Sequence, residues 1–248
     1  TNNIHLQQPS LPGGTLPLGA EIHQLSFMFN CPPLENSYFV KYKIINRSLL
    51  TWDSCFIALN SDVDVGNGSC GAGDDASGCD SLRNTAFMYN ADSMDCNYGV
   101  NPPAFATRIL QGPLKFTGNN SDTAKLPYDT LSGYKIVGLT AHCSFKNFPN
   151  CYVDPDSAIE AYNVMKGLNT CGDLQINRVT GQPTKLLYSG DACNRTGWFD
   201  SMSHDGKNFM SSGPLTIASG DTQTVVYGLG ITRGGNNFTN VCRILALS

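Results

Sequence analysis

The 248-residue sequence predicts an all-β fold: a β-sandwich of jelly-roll or immunoglobulin-like type, with long loops and one short inserted helix. Two observations support this class. Short segments of alternating apolar and polar residues recur along the chain between Gly, Pro, Asn and Asp turn signals. The acidic residues are mostly Asp, with Glu only at Glu21, Glu35 and Glu160, and Asp favours turns whereas Glu favours helices.

The strand candidates share period-two alternation or enrichment in β-branched residues, and turn signals separate them. In the first, Leu25, Phe27 and Phe29 alternate with polar or smaller residues. In chain order the predicted strands are 21–30, 37–46, 53–59, 85–89, 104–110, 134–142, 185–188, 215–217 and 222–231. The polar segment 118–129 is predicted to be an exposed loop.

One helix is predicted over 156–166. Ser157 and Glu160 have capping-box spacing, and Gly167 stands where a residue just past a helix C-terminus belongs. The apolar positions that would face the core are Ile159, Tyr162 and Met165. The apolar segment 241–247 is too short to assign.

The chain length and the positions of Pro and Gly predict an N-terminal arm or linker over 1–17 and a single β-sandwich domain over 18–248. The alternative is two lobes that meet near 141–155. The formal net charge of -4, without any cluster of Lys or Arg, argues against a nucleic-acid partner. No apolar run approaches the roughly 18 residues that a membrane span requires, so membrane insertion is not expected.

Ten cysteines without a CxxC spacing predict disulfides and therefore an extracellular or cell-surface protein. The chain begins at Thr1 without a signal sequence, so we expect either that one has been removed or that the chain belongs to a longer polypeptide. Nearness in sequence favours three pairs: Cys70–Cys79, Cys143–Cys151 and Cys171–Cys193. The alternative is that some of these residues are free buried thiols.

An acidic stretch between residues 60 and 80 is the strongest candidate site. It carries Asp62, Asp64, Asp74, Asp75 and Asp80 with no Lys or Arg among them. Carboxylates crowded in this way are typical of a site for a hard divalent cation, and Ca²⁺ is the expected ion. The alternative is a solvated Asp/Gly turn. A second, weaker acidic segment, 90–95, is interpreted as a plain turn.

No catalytic motif is found, so the sequence predicts a protein that is not an enzyme. The four histidines lack metal-ligand spacing, and GxSxG, Walker A and GxGxxG motifs are absent. Trp52 and Trp198 could stack on a sugar, which makes a carbohydrate-binding module the main alternative. A hydrolase of unrecognised type is a more remote one.

The order of short motifs resembles an uncharacterised domain of large secreted cell-surface proteins of bacteria that use the type IX export route. The resemblance spans about 18–235 and includes Asn60-Ser61-Asp62-Val63-Asp64-Val65-Gly66 and Tyr98-Gly99-Val100-Asn101-Pro102-Pro103-Ala104. Further matching segments are 43–48, 73–75, 78–80, 86–92, 111–113, 162–167, 197–200, 209–214 and 218–223. The resemblance implies export, deployment at the cell surface and membership of a longer multidomain chain.

Bacteria of that kind often glycosylate Asp-Ser/Thr-apolar triplets. By this resemblance Thr123 and Thr130, in the predicted exposed loop, are the favoured attachment sites.

Taken together, these observations predict a calcium-stabilised extracellular module with a structural or adhesive role in a surface protein or filament. Its expected partners are neighbouring domains of a longer chain or like subunits, with surface glycans as the alternative.

Overall fold

In a computed structural model, which describes residues 17–66, 73–146, 151–202 and 204–247, two antiparallel sheets pack face to face. The chain is therefore an all-β sandwich, as predicted. In chain order the strands are β1 Ala20–Met28, β2 Ser37–Asn46, β3 Trp52–Ser61, β4 Asp75–Asp80, β5 Thr85–Asn90, β6 Ala104–Gln111, β7 Leu114–Phe116, β8 Thr123–Leu126, β9 Asp129–Ser132, β10 Tyr134–Ile136, β11 Ala141–Lys146, β12 Gln175–Ile176, β13 Pro183–Thr184, β14 Gly206–Ile217 and β15 Thr222–Thr232. The helices are α1 Ala158–Met165 and α2 Asn237–Leu247.

The larger sheet has six strands in the order β1-β2-β15-β6-β5-β4, and the smaller sheet has three in the order β11-β14-β3. All of these pairs are antiparallel. Strand pairs β7/β10, β8/β9 and β12/β13 stand outside the two main sheets. In the larger sheet β15 lies between β2 and β6, and in the smaller sheet β14 lies between β11 and β3, so these neighbours come from distant parts of the chain.

Apolar side chains from both sheets meet between them. Met210 of β14 packs in one cluster with Ile109 of β6 and Val225 of β15, and Leu59 of β3 packs against the same cluster. A second cluster combines Phe87 and Tyr89 of β5 with Val241 and Ile244 of α2. Alternating side chains point to opposite faces of a strand, so the larger sheet is covered on one face by the smaller sheet and on the other by α2.

Strand β1 is the exposed edge of the larger sheet. A strand was predicted over 21–30 and forms over Ala20–Met28, but its burial does not alternate: Leu25 is 59% exposed and Met28 60% exposed. Phe27 stacks on Phe39 of the neighbouring strand, with ring centroids 5.4 Å apart. The apolar residues of β1 therefore lie largely at the surface.

Helix α1 agrees with its predicted end signals. The Ser157 hydroxyl accepts a hydrogen bond from the Glu160 backbone N–H at 3.2 Å, and the Glu160 carboxylate accepts one from the Asp156 N–H at 2.6 Å. Gly167, at φ +86°, follows the C-terminal residue of the helix and adopts the left-handed conformation that Gly tolerates best.

Three local predictions are wrong. Residues 123–126 and 129–132 form the β8/β9 hairpin within the predicted loop 118–129. Predicted strand 134–142 divides into β10 and β11, while 185–188 makes only an isolated bridge, through Leu186. Helix α2 begins four residues before the unassigned apolar segment 241–247, and the helical spacing of Phe238, Val241 and Leu245 shows only when those residues are included.

Two disulfides join described residues, Cys151–Cys171 and Cys193–Cys242, and Cys96 is also disulfide-bonded. The pairs Cys143–Cys151 and Cys171–Cys193 are therefore wrong: Cys151 pairs with Cys171, Cys193 pairs with Cys242, and nearness in sequence did not select the partners.

Two of the cysteines, Cys79 and Cys143, are free buried thiols, as the alternative predicted. The Cys70–Cys79 pair is wrong because Cys79 is free. Cys70 lies outside the described residues, as do residues 1–16 of the predicted arm over 1–17. No described helix is both long and apolar enough to cross a bilayer.

Candidate functional site

The acidic stretch is not a single loop. Asp62 and Asp64 follow β3, Asp74 precedes β4, and Asp75 and Asp80 are the first and last residues of β4. Residues 75–79 are buried because β4 packs between β5 and the smaller sheet. Five residue steps along a strand span roughly 16 Å, so Asp80 cannot share a ligand with Asp75.

Two of the five carboxylates have cationic partners from outside the stretch. Arg83 contacts Asp80 at 2.5 Å, and its backbone N–H donates to the same carboxylate at 3.1 Å. Lys207 of β14 lies 3.5 Å from Asp62 and 2.5 Å from Asp154. Although the stretch itself contains no Lys or Arg, the fold brings cationic side chains from other parts of the chain to two of its carboxylates.

The remaining three, Asp64, Asp74 and Asp75, form what we call the acidic corner. Asp75 is 2% exposed. Its Oδ1 accepts a hydrogen bond from the Val65 N–H at 2.9 Å, and its buried Oδ2 has no hydrogen-bond donor among the described residues. Burial, followed by the charges of Asp74, Asp64 and Asp205, raises the pKa of Asp75 to about 8. At neutral pH this carboxyl group is therefore mostly protonated, and no described hydrogen-bond donor would stabilise its Oδ2 if it ionised.

The second acidic segment joins this corner. Asp74 Oδ2 accepts a hydrogen bond from Asn90 Nδ2 at 2.7 Å, and burial together with the charges of Asp95 and Asp92 raises the pKa of Asp74. A Cβ on Gly66 would come within 2.6 Å of Asp95 Oδ2, so only Gly lets the loop after β3 approach this carboxylate. Segment 90–95 is a turn, as predicted, but one that adds charge to the corner.

The described residues include no three His, Cys, Asp or Glu side chains placed to hold a metal ion together. Any cation at the corner would therefore need carbonyl, amide or water oxygens in addition to the carboxylates, and Ca²⁺ accepts all of these.

The aromatic candidates differ in exposure. Trp198 is 8% exposed and packs edge-on against Tyr188, with centroids 5.3 Å apart. Trp52 is half-buried, and its indole N–H donates to the Ser48 hydroxyl at 3.1 Å. The Trp198 ring is thus part of the core and is not presented at the surface.

The glycan-attachment candidates are both accessible. Thr123 lies on β8 and Thr130 on β9, and both are exposed on this hairpin. A regular hairpin, not the expected irregular loop, therefore carries them.

A cleft of about 430 Å³ lies at the far end of β4, lined by Asp80, Arg83, Asp191 and Asn194 among others. The two carboxylates have local partners. Asn194 donates to Asp191 from its side chain at 2.6 Å and from its backbone at 3.0 Å, which holds the pKa of Asp191 below its ordinary value. Asp191 is therefore poorly suited to donate a proton at neutral pH.

A buried ion pair lies between the sheets, and sequence reasoning missed it. Lys146, the last residue of β11, places Nζ 2.9 Å from Asp200 Oδ1 and 2.8 Å from Oδ2. The two side chains are 6% and 1% exposed. Every residue of β11 is buried, so the sequence pattern does not single out Lys146, and only the tertiary structure shows that Asp200 meets it.

Several groups fix this pair. The Ser77 N–H of β4 donates to Asp200 Oδ2 at 3.1 Å, and the Tyr89 hydroxyl donates to the Asp200 carbonyl. The Tyr188 ring faces Lys146 Nζ, 4.5 Å from its centroid. Burial lowers the pKa of Lys146, and the charge of Asp200 opposes that shift. We call Lys146, Asp200, Ser77 and Tyr188 the inter-sheet cluster.

Comparison with known proteins adds no family. The chain matches no protein-family model, and no curated protein shows significant sequence similarity to it. Fold and site therefore define the class of protein: an all-β sandwich that has disulfides, an acidic corner and a buried inter-sheet ion pair. Disulfides are typical of an oxidising environment.

Proposed function

We propose that the chain is a non-enzymatic extracellular module with a structural or adhesive role, and that Ca²⁺ bound at the acidic corner stabilises it. The observation that carries the calcium proposal is the buried Asp75 Oδ2, which has no hydrogen-bond donor among the described residues. A buried ionised carboxylate without a partner is costly, so such groups pair, bind a metal or stay protonated.

Without a cation, burial and the neighbouring charges keep Asp75 protonated at neutral pH, and a bound metal ion is what would let it ionise. Asp64 and Asp74 contribute negative charge at the same corner. The pKa of Asp74 is itself raised. Asp74 and Asp75 both resist ionisation, and a hard divalent cation would relieve the repulsion around them, with carbonyl, amide or water oxygens completing its ligands. Asp62 and Asp80 would contribute little, because Lys207 and Arg83 already compensate them.

The expected consequence is a module whose stability depends on extracellular calcium. Binding to the folded state alone stabilises it by an amount that grows with free ion concentration, about 2.7 kcal/mol at one hundred times Kd. For a chain of this size that corresponds to a Tm shift of roughly 5–10 °C.

Thermal unfolding in millimolar Ca²⁺ and in excess chelator tests the proposal. We expect the melting temperature to fall on chelation in the wild type and to be insensitive in Asp75→Asn and Asp64→Asn. Asp129→Asn, on the exposed β8/β9 hairpin, is the matched control and should respond as the wild type does. Identical melts of the wild type with and without Ca²⁺ would overturn the calcium proposal.

The adhesive part of the proposal is supported by the exposed edge. Strand β1 leaves one row of backbone N–H and C=O groups without a β partner in the sheet, and Ile22, Leu25 and Met28 are exposed along it. Such an edge fits pairing with a neighbouring domain or a like subunit. Light scattering over a concentration series, compared with a Leu25→Lys variant, measures this; monomers at every concentration would argue against self-pairing.

A further inference from the structure

The inter-sheet cluster contains the two functional groups of an amide bond, an amine and a carboxyl, held in contact away from water. Lys146 Nζ is nearly equidistant from the two Asp200 oxygens, at 2.9 and 2.8 Å. This places the nitrogen roughly 3 Å from the carboxyl carbon, a distance short enough for attack. We propose that Lys146 and Asp200 condense in the folded protein to form an intramolecular amide cross-link between the two side chains.

The step balances without an oxidant, a reductant or a cofactor. An ammonium proton moves to the carboxylate through the existing hydrogen bond, which yields an amine and a carboxylic acid. The amine lone pair forms the Nζ–Cγ bond, one Cγ–O bond breaks, and that oxygen leaves as water with two of the original ammonium hydrogens. The product keeps one N–H and one C=O, so the net change is the loss of one water molecule.

The surroundings favour each part of this step. The Ser77 N–H donates to Asp200 Oδ2, where negative charge develops when the amine attacks. Burial lowers the pKa of Lys146, which increases the uncharged fraction of the nucleophile, although Asp200 opposes the shift. The Tyr188 ring faces Lys146 and Trp198 packs against Tyr188, and these two rings limit the water available for the reverse hydrolysis.

The position of the pair gives the cross-link a structural consequence. Lys146 ends an edge strand of the smaller sheet, and Asp200 lies 54 residues later beside β4 of the larger sheet. A bond between them would close a covalent loop and restrict the unfolded chain, as a disulfide does, but would resist reduction. This inference does not rest on calcium, since the two sets of residues are different.

The chain offers an internal control. Lys207 and Asp154 approach to 2.5 Å, but their side chains are 28% and 46% exposed. Water can reach that pair, and we expect it to remain an ordinary ion pair.

Intact-mass spectrometry of the purified, fully reduced and denatured protein tests the proposal. We expect a mass about 18 Da below that of the sequence, the loss of one water. After trypsin, a cross-linked peptide should join the segments that contain Lys146 and Asp200, while Lys207 should be cleaved normally. The full sequence mass, with a free Lys146 amine, would overturn the proposal.

Two variants distinguish this bond from other dehydrations, such as cyclisation of Asp200 with the following backbone nitrogen. Lys146→Arg keeps the positive charge but should retain the full mass of its own sequence; a deficit of about 18 Da in this variant would place the loss elsewhere and refute the proposal. Asp200→Asn should lose about 17 Da as ammonia and give the same final mass as the wild type. The wild-type mass decides the question even if either variant fails to fold.

Discussion

Substituting Asp75 by Asn isolates the electrostatic cost of the acidic corner. Asn keeps an oxygen that can accept the Val65 N–H, but it cannot ionise. The pKa of Asp75 rises from 3.8 to about 8 on folding, chiefly through burial. Because the folded state holds the proton more tightly than the unfolded state, this group's contribution is complete below pH 4 and is lost as the pH rises toward 8.

The magnitude follows from the pKa difference. Each pH unit above 4 costs the wild type about 1.4 kcal/mol, so between pH 4 and pH 7 the loss is about 4 kcal/mol in the absence of a cation. The Asn variant should lose none of this. In chelator, the difference in unfolding free energy between variant and wild type should therefore grow by a few kcal/mol over that range.

Urea unfolding of both proteins at a series of pH values, with disulfides intact, measures this difference. Added Ca²⁺ should flatten the wild-type dependence, because the cation favours the ionised carboxylate, and should leave the variant unchanged. Asp129→Asn serves as the control for loss of an exposed carboxylate. Parallel curves for wild type and Asp75→Asn in chelator would refute the assignment of Asp75 as a buried, uncompensated acid.

Three further predictions concern stability and thiol chemistry. Ser157→Ala should destabilise the protein by about 1 kcal/mol, since it removes the N-cap acceptor of α1; an unchanged urea midpoint would contradict this. Phe87→Ala, which empties a site between β5 and α2, should cost about 3–5 kcal/mol by the same assay, and a loss below 1 kcal/mol would show that the site collapses. In native protein at pH 8 an alkylating reagent should modify the exposed Cys31 but not Cys143. Burial raises the pKa of the Cys143 thiol to about 12, so little reactive thiolate is present there. Comparable rates at the two positions would show that the native core admits the reagent.

Local patterns predicted most of the fold because they report on burial. The alternation over 37–46 and the β-branched segment 222–231 both became central strands within a residue of their expected ends. Strand β4 was not predicted, because its composition does not resemble that of a strand. Its Asp, Ser and Gly residues are typical of a turn, and only packing between β5 and the smaller sheet makes them a buried strand.

The candidate site was predicted only in part, for a related reason. Counting charges along the chain identified Asp64, Asp74 and Asp75 but could not show that Arg83 reaches Asp80 or that Lys207 reaches Asp62. The Lys146–Asp200 pair had no sequence signal, because its members are 54 residues apart and each resembles an ordinary polar residue. Such contacts depend on which strands become neighbours.

The Cys193–Cys242 disulfide has a consequence for how the module bears tension. Strands β14 and β15, each interior to its sheet, both lie within the 49-residue loop that this bond closes. A pull applied beyond Cys242 passes across the sulfur bridge to Cys193 and bypasses both strands. While the bridge is intact, the middle of each sheet cannot be unravelled from that end, and reduction would expose about 50 residues to extension at once.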